Sequence, residues 1–313
     1  MPVLASGGLS VGVEITGDGH DSVAEIFSLA TRLENAGVHY WVIGADRGEP
    51  SGASRASSDP SIVATVAARH STSLGLVVAA AAHRDHPYNL ARRLLSVDHA
   101  ARGRVGWLAL DADHRIGLDA GYDTWTSAVL DPAHTAEAVA AVRTLWRTWP
   151  RESVHGNRDT GVFADTSQIR RADVDGVYSI AGPLNLPGSI QGDLPVWQHD
   201  GPTVRDADVV IVEEAEPVPG RPTVVRLRSL HELGATLQRL SRTAGAAGVL
   251  LRVTADALEP ALDEVSAARQ RGLLTAPDGA TLRERLHLPP PELPDLITHL
   301  PAFAGAPQPG GRL

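Results

Sequence analysis

No cysteine occurs among the 313 residues, and no lysine either, so every strongly basic side chain is an arginine. Without thiols, disulfides, thiolate metal sites and a cysteine nucleophile are excluded, and a reducing cytoplasm is the natural expectation. An excess of positive charge is also lacking. The formal net charge of -9 argues against non-specific binding to nucleic acid or to a membrane surface, because both rest on a basic field. Long apolar runs are missing too: the stretch from Leu74 to Ala82 is far too short to span a bilayer. Met1 to Ser10 has no basic region ahead of an apolar run, so a soluble cytoplasmic protein is expected.

Apolar runs of strand length alternate with segments of helical period, the mark of repeated βα units around a parallel sheet. Strands are expected at 9–15, 40–45, 74–79, 105–110, 195–198, 209–212, 223–227 and 248–253. Ser22 and Glu25 form a capping box ahead of a first helix, and Asp59-Pro60 caps and starts a second. A third helix is expected from His86 to Arg102, and a fourth carries Val139, Val142, Leu145, Trp146 and Trp149 on one stripe. Ser229 and Glu232 form another capping box before a leucine-striped helix, and Leu258, Leu262 and Val265 mark the last one.

Only Asp200 to Asp208 separates the fifth and sixth strands, too few residues for a crossover helix, which needs about a dozen. The expected fold is therefore an α/β (β/α)8 TIM barrel over 1–287, with the helices after strands 5 and 6 shortened or lost. A long insertion at 150–193, between helix 4 and strand 5, is expected to cross the barrel rim. A proline-rich tail, 288–313, is expected to lie extended over the barrel or a partner subunit.

In such a barrel the ligand site lies at the C-terminal ends of the strands, which places Glu14, Asp46, His83, Asp111, His199, Asp200, Glu213, Arg226 and Arg252 at the rim. Solvated rim charge or helix capping is the competing reading for each. Ala79 to Ala82, centred on Ala80, could leave room for a flat ring, although small residues there also suit the packing layers of a barrel. Trp107 fits a pocket wall, but an aromatic at a strand position is more often core. His83 and His199 could give or take a proton near neutral pH, a reading from residue type alone.

Three segments carry a family resemblance: His86-Pro-Tyr-Asn-Leu-Ala-Arg-Arg through Val105-Gly-Trp107, Gly161 to Arg171, and Thr281-Leu-Arg-Glu-Arg-Leu-His-Leu-Pro-Pro290. Together they resemble the bacterial-luciferase-like flavin monooxygenases, in the branch of nitrilotriacetate and dibenzothiophene-sulfone monooxygenases. The resemblance implies an oxidoreductase using reduced FMN from a separate flavin reductase to insert one oxygen atom into a small organic substrate. It also implies a dimer, either of two copies or with a homologue. Asp46 matches the acidic position after the family's second strand, and Gln198 the glutamine ending its fifth.

Departures accompany the match. Leu108-Ala-Leu-Asp follows Trp107 where the family has asparagine and hydroxyl residues, and Pro132-Ala-His134 replaces an expected tyrosine. Gln198-His-Asp-Gly stands where a Gly-Ser-Ser turn cradles phosphate, so Gly201, Thr203 and Arg205 are the remaining candidates for a phosphate nest. These departures raise a second reading, a degenerate barrel serving as a structural or regulatory subunit, and a third in which a deazaflavin is bound.

Other motifs weigh less. Gly8-Leu-Ser-Val-Gly12 matches a nucleophile elbow but enters a strand rather than leaving one. Gly17-Asp-Gly19 lacks the third glycine of a dinucleotide fingerprint. His83-Arg-Asp-His86 could ligate a metal, but His86 belongs to the helix-starting His-Pro-Tyr, and no metal is expected. Asp98-His99 is expected to be structural.

Overall fold

The computed structural model describes residues 8–16, 22–50, 58–116, 121–201, 206–231, 233–291 and 300–303. Caps written in the sequence start the helices. Before α1 (Val23–Ala36), Ser22 Oγ accepts from the Glu25 amide at 3.2 Å and the Glu25 carboxylate accepts from the Ser22 amide at 3.1 Å; Gly37, at φ +83°, ends the helix where a side chain would be strained. Asp59 caps α2 (Pro60–Arg69), the His86 ring caps α3 (Pro87–Ala100), and Asp131 caps α4 (Pro132–Trp146). Trp149 lies beyond the end of α4 and donates to Ser153 Oγ, so the expected stripe is one residue too long.

The strands follow in chain order: β1 (Ser10–Thr16), β2 (Tyr40–Ile43), β3 (Gly75–Ala81) and β4 (Val105–Leu110), then the small hairpins β5 (Val154–Asn157) with β6 (Val162–Ala164) and β7 (Asp173–Asp175) with β8 (Ser179–Ala181). Next come β9 (Val196–His199), β10 (Val209–Glu213), β11 (Thr223–Leu227) and β12 (Ala246–Thr254). β1 to β4 and β9 to β12 close into one parallel barrel, with β12 pairing back onto β1. Among the described residues no helix follows β9 or β10, as the short spacers predict. The helices α5 (Leu233–Leu240), α6 (Leu258–Gln270) and α7 (Leu282–Arg285) complete the molecule.

Strand alternation divides the apolar side chains into two buried sets. One lies between barrel and helices and includes Leu33, Leu94, Trp107 and Trp146. The other fills the barrel, where Tyr40 and Trp197 stand with ring centroids 4.8 Å apart. Gly12 makes room for this pair, since a Cβ there would fall 1.9 Å from the Tyr40 ring. Leu282, Leu286 and Leu288 of the closing segment join the interior set, and the Leu282 amide bonds Gly103 at the chain entry to β4. The base of the barrel is thereby plugged, which leaves the opposite end for a ligand.

The insertion runs along α3 and α4 from the base to the rim, where polar groups at the ends of those helices hold it. At the base, Ser189 Oγ and Gln191 Nε2 donate to buried Asp98 at 2.6 and 2.9 Å, and His99 bonds the Pro187 carbonyl. Asp98-His99 is structural, as expected. At the rim, Tyr178 docks on Asp123 and His134. The tail is described at 288–291, where Leu288 joins the interior set of the barrel, and at 300–303, which pairs with residues 169–171 of the insertion.

Candidate active site

A pocket of about 520 Å³ opens at the C-terminal ends of the strands, within the roughly 300–1,000 Å³ usual for small-molecule sites. One wall is the turn after β2, where Gly44 at φ +80° swings the chain into residues Ala45–Gly48. Ala109, Leu110 and Asp111 end β4, and Gln198, His199, Asp200 and Gly201 end β9; Glu213, Arg226 and Arg228 close the far side.

An ion network with a buried centre lies along one side of the pocket. Arg226, 3% exposed, donates to Glu14, to Glu213 at 2.8 Å and to Glu49 at 3.4 Å. Arg252 grips Glu49 with both terminal nitrogens. Burial pushes the Glu14 carboxyl up despite the pull of Arg226. Glu49 goes the other way: the Arg252 hydrogen bonds hold it down at about 2. For Glu213 burial acts upward, but the Arg226 hydrogen bond and charge outweigh it and hold the carboxyl below its ordinary value.

Of the residues singled out in the sequence, Gln198, His199 and Gly201 line this pocket. Gln198 is 7% exposed, and its carboxamide has no hydrogen-bond partner among the described residues, which leaves its donors and acceptor uncommitted. The His199 ring is likewise unpartnered among the described residues. Burial, followed by the Arg226 charge, lowers its pKa below the ordinary imidazole value, which favours the neutral ring at pH 7.

Other residues are placed elsewhere. Trp107, expected as a pocket wall, points outward instead: its indole N–H donates to the Ala80 carbonyl at 3.0 Å and its ring meets Trp146 of α4 edge-on. Ala80 belongs to the same outer set. The alternation of β3 and β4 is the reason, since Ala79, Ala81, Leu108 and Leu110 take the inward positions. His83 is buried, and its Nε2 accepts the Asp113 amide at 2.8 Å, which puts the remaining ring proton on Nδ1. Asp46 pairs with Arg115, and Arg47 with Asp113 at 2.9 Å. Both pairs tie the β2 turn to the loop after β4, so Asp46 and His83 shape the rim without lining the pocket. Thr203 and Arg205, like Gly17, Gly19 and Glu232, lie outside the described residues.

Two features are not visible from the sequence pattern. Glu49 lies beyond the strand end, in a turn whose path no periodicity encodes. The buried Asp123–His134–Tyr178 cluster, with His134 Nε2 2.8 Å from both Asp123 and the Tyr178 oxygen, joins residues 55 positions apart. Only Pro132-Ala-His134 signals it. No group of three or more metal-ligating side chains occurs among the described residues, and no helix among them is long and apolar enough to cross a membrane.

The chain is similar to one of the subunits of pristinamycin IIA synthase from Streptomyces pristinaespiralis, with 29% identity over 72% of this chain and 76% of that one. It is 32% identical to dibenzothiophene-sulfone monooxygenase of Rhodococcus erythropolis over 44% of this chain, and spans 31% of that enzyme's length. Among solved structures, DmoA from Hyphomicrobium sulfonivorans shares the fold with a TM-score of 0.72 and 15% identity, covering 95% of this chain and 97% of that one. A riboflavin lyase crystallised with modified FMN and riboflavin gives 0.68 at 17% identity, over 90% and 96% of the two chains. An F420-dependent secondary alcohol dehydrogenase gives 0.59 at 11%, over 87% and 100%. A family model described as luciferase-like monooxygenase matches residues 5–199. The chain belongs to the luciferase-like monooxygenase family.

Proposed function

We propose that the protein is a flavin-dependent monooxygenase whose reaction chamber is the pocket at the ends of β4 and β9. The observation that carries this is the unpartnered, nearly buried Gln198 carboxamide in a pocket also lined by the apolar Ala45, Ala109 and Leu110. A flat apolar slot with one amide offering both donor and acceptor fits the edge of a three-ring redox cofactor. When bound, reduced FMN from a separate flavin reductase would supply the electrons that activate oxygen. The protein's own contributions are positional. Gln198 would orient the ring edge, Ala45 and Leu110 would exclude water from one face, and neutral His199 would accept or return a proton at a ring nitrogen.

Relatives named as sulfone and nitrilotriacetate monooxygenases support this reading. The anaerobic binding of FMN in both redox states, compared with a deazaflavin, tests it: tighter binding of the deazaflavin would move the protein to the deazaflavin-using class. A second reading, in which the barrel works as one subunit of a pair and leaves chemistry to a homologue, draws on the relative of comparable length being a synthase subunit. Assembly as two copies is the alternative pairing, and light scattering of the purified chain, alone and with a homologous subunit, separates them. The cytoplasm remains the proposed location.

A further inference from the structure

We infer that this pocket selects substrates carrying a protonated amine or other organic cation, and disfavours carboxylates and sulfonates. The inference rests on the pocket being the reaction chamber proposed above.

The charges that line it are unequal in number and in commitment. Glu49, Asp111, Asp200 and Glu213 face two guanidiniums, Arg226 and Arg228. Both guanidiniums are already paired, Arg226 with Glu14, Glu213 and Glu49, and Arg228 with Glu213 at 3.3 Å. Glu49 is in turn held by Arg252. An incoming anion therefore finds no uncommitted cation among the described lining residues.

Two carboxylates are left over. Asp111 accepts a hydrogen bond from Thr135 Oγ1 and Asp200 keeps its side chain free; neither has a cationic partner among the described residues. They end neighbouring strands, since β4 pairs with β9 through Trp107–Val196 and Leu108–Trp197. Gln198 of β9, nine-tenths buried and unpartnered, precedes Asp200 by two residues and lines the same pocket, with an amide oxygen able to accept a third hydrogen bond. The neutral His199 ring adds an acceptor nitrogen. An ammonium group carries three donors and no acceptor, and this is the complement of that set. An anion at the same point would sit against two exposed negative charges that no cation offsets among the described residues.

The test uses the intact chain and three probes of one shape: benzylamine, benzyl alcohol and benzoate. Binding is read by calorimetry at pH 7 and low salt, with and without FMN, while FMN binding is followed separately by its own absorbance. Benzylamine should bind at least about tenfold more tightly than benzoate, and raising the salt to about 0.3 M should narrow the gap. A D111N/D200N variant with an unchanged circular dichroism spectrum should bring the two within about twofold. Equal or tighter binding of benzoate, a preference that survives the double substitution, or no binding of any probe would overturn the inference. Selective amine binding by a protein that ignores FMN would keep it and reject the flavin reading; FMN binding with benzoate preferred would do the reverse.

Discussion

Glu49 reaches from the turn after β2 past the end of β1 and accepts hydrogen bonds from both terminal nitrogens of Arg252 on β12, the longer at 2.7 Å. This pair fixes one wall of the pocket. Glu49 is 40% exposed, so solvent screening limits what the pair adds to folding. Its folded carboxyl lies well below the unfolded value, so its contribution is present above about 4.5 and is lost as the pH falls toward about 2. Glu49→Gln should lower the melting temperature by no more than a few degrees. It should weaken ligand binding severalfold by loosening the wall, as calorimetric titration of the variant would show.

His199 lines the pocket with no hydrogen-bond partner among the described residues, and burial with the Arg226 charge favours its neutral form. The rate should therefore fall on the acid side, along a limb centred below the ordinary imidazole value. His199→Asn should abolish that limb and lower kcat about 10² to 10⁴-fold if the ring moves a proton in the slow step. A pH–rate profile of the variant that still shows the limb would exclude this role.

Tyr178 donates to Asp123 at 2.5 Å and closes the contact between the insertion and the N-terminal end of α4. Tyr178→Phe removes the hydroxyl's buried contacts with Asp123 and His134, at a cost of about 1–2 kcal/mol. Asp123→Ala strands the donors of Tyr178, His134, Trp125 and Thr126 together and should cost several times more. Chemical denaturation measures both, and limited proteolysis within 154–181 should accelerate in the order wild type, Tyr178→Phe, Asp123→Ala.

Trp107 holds the Ala80 carbonyl and packs on Trp146, away from the pocket. Trp107→Phe should therefore cost roughly 1–3 kcal/mol of stability, from the unsatisfied carbonyl and lost packing, while flavin affinity stays within about twofold. A large loss of affinity at unchanged stability would put the indole back in the site.

Much of the fold is legible in the sequence because it is encoded locally. Strand alternation, the capping box at Ser22 and the short spacer between β9 and β10 each act over a few residues. The two hairpins of the insertion are hidden, since short, half-exposed strands such as Val162–Ala164 carry no hydrophobic period. At the site, Gln198 and His199 can be found because strand ends face the mouth. Trp107 misleads because its parity on β4, inward or outward, depends on the register of the closed sheet. The Glu14–Arg226 pair joins residues 212 positions apart and becomes visible only when β12 meets β1.

The central claim is that the Gln198 carboxamide receives a reduced flavin at the ends of β4 and β9. Anaerobic titration of the full chain with reduced FMN, set beside the same titration of Gln198→Ala, tests it most directly. The account predicts saturable binding that weakens by about tenfold in the variant, the value of a buried hydrogen bond. Absence of saturable binding in the wild-type protein, or equal affinity in the two proteins, would contradict it.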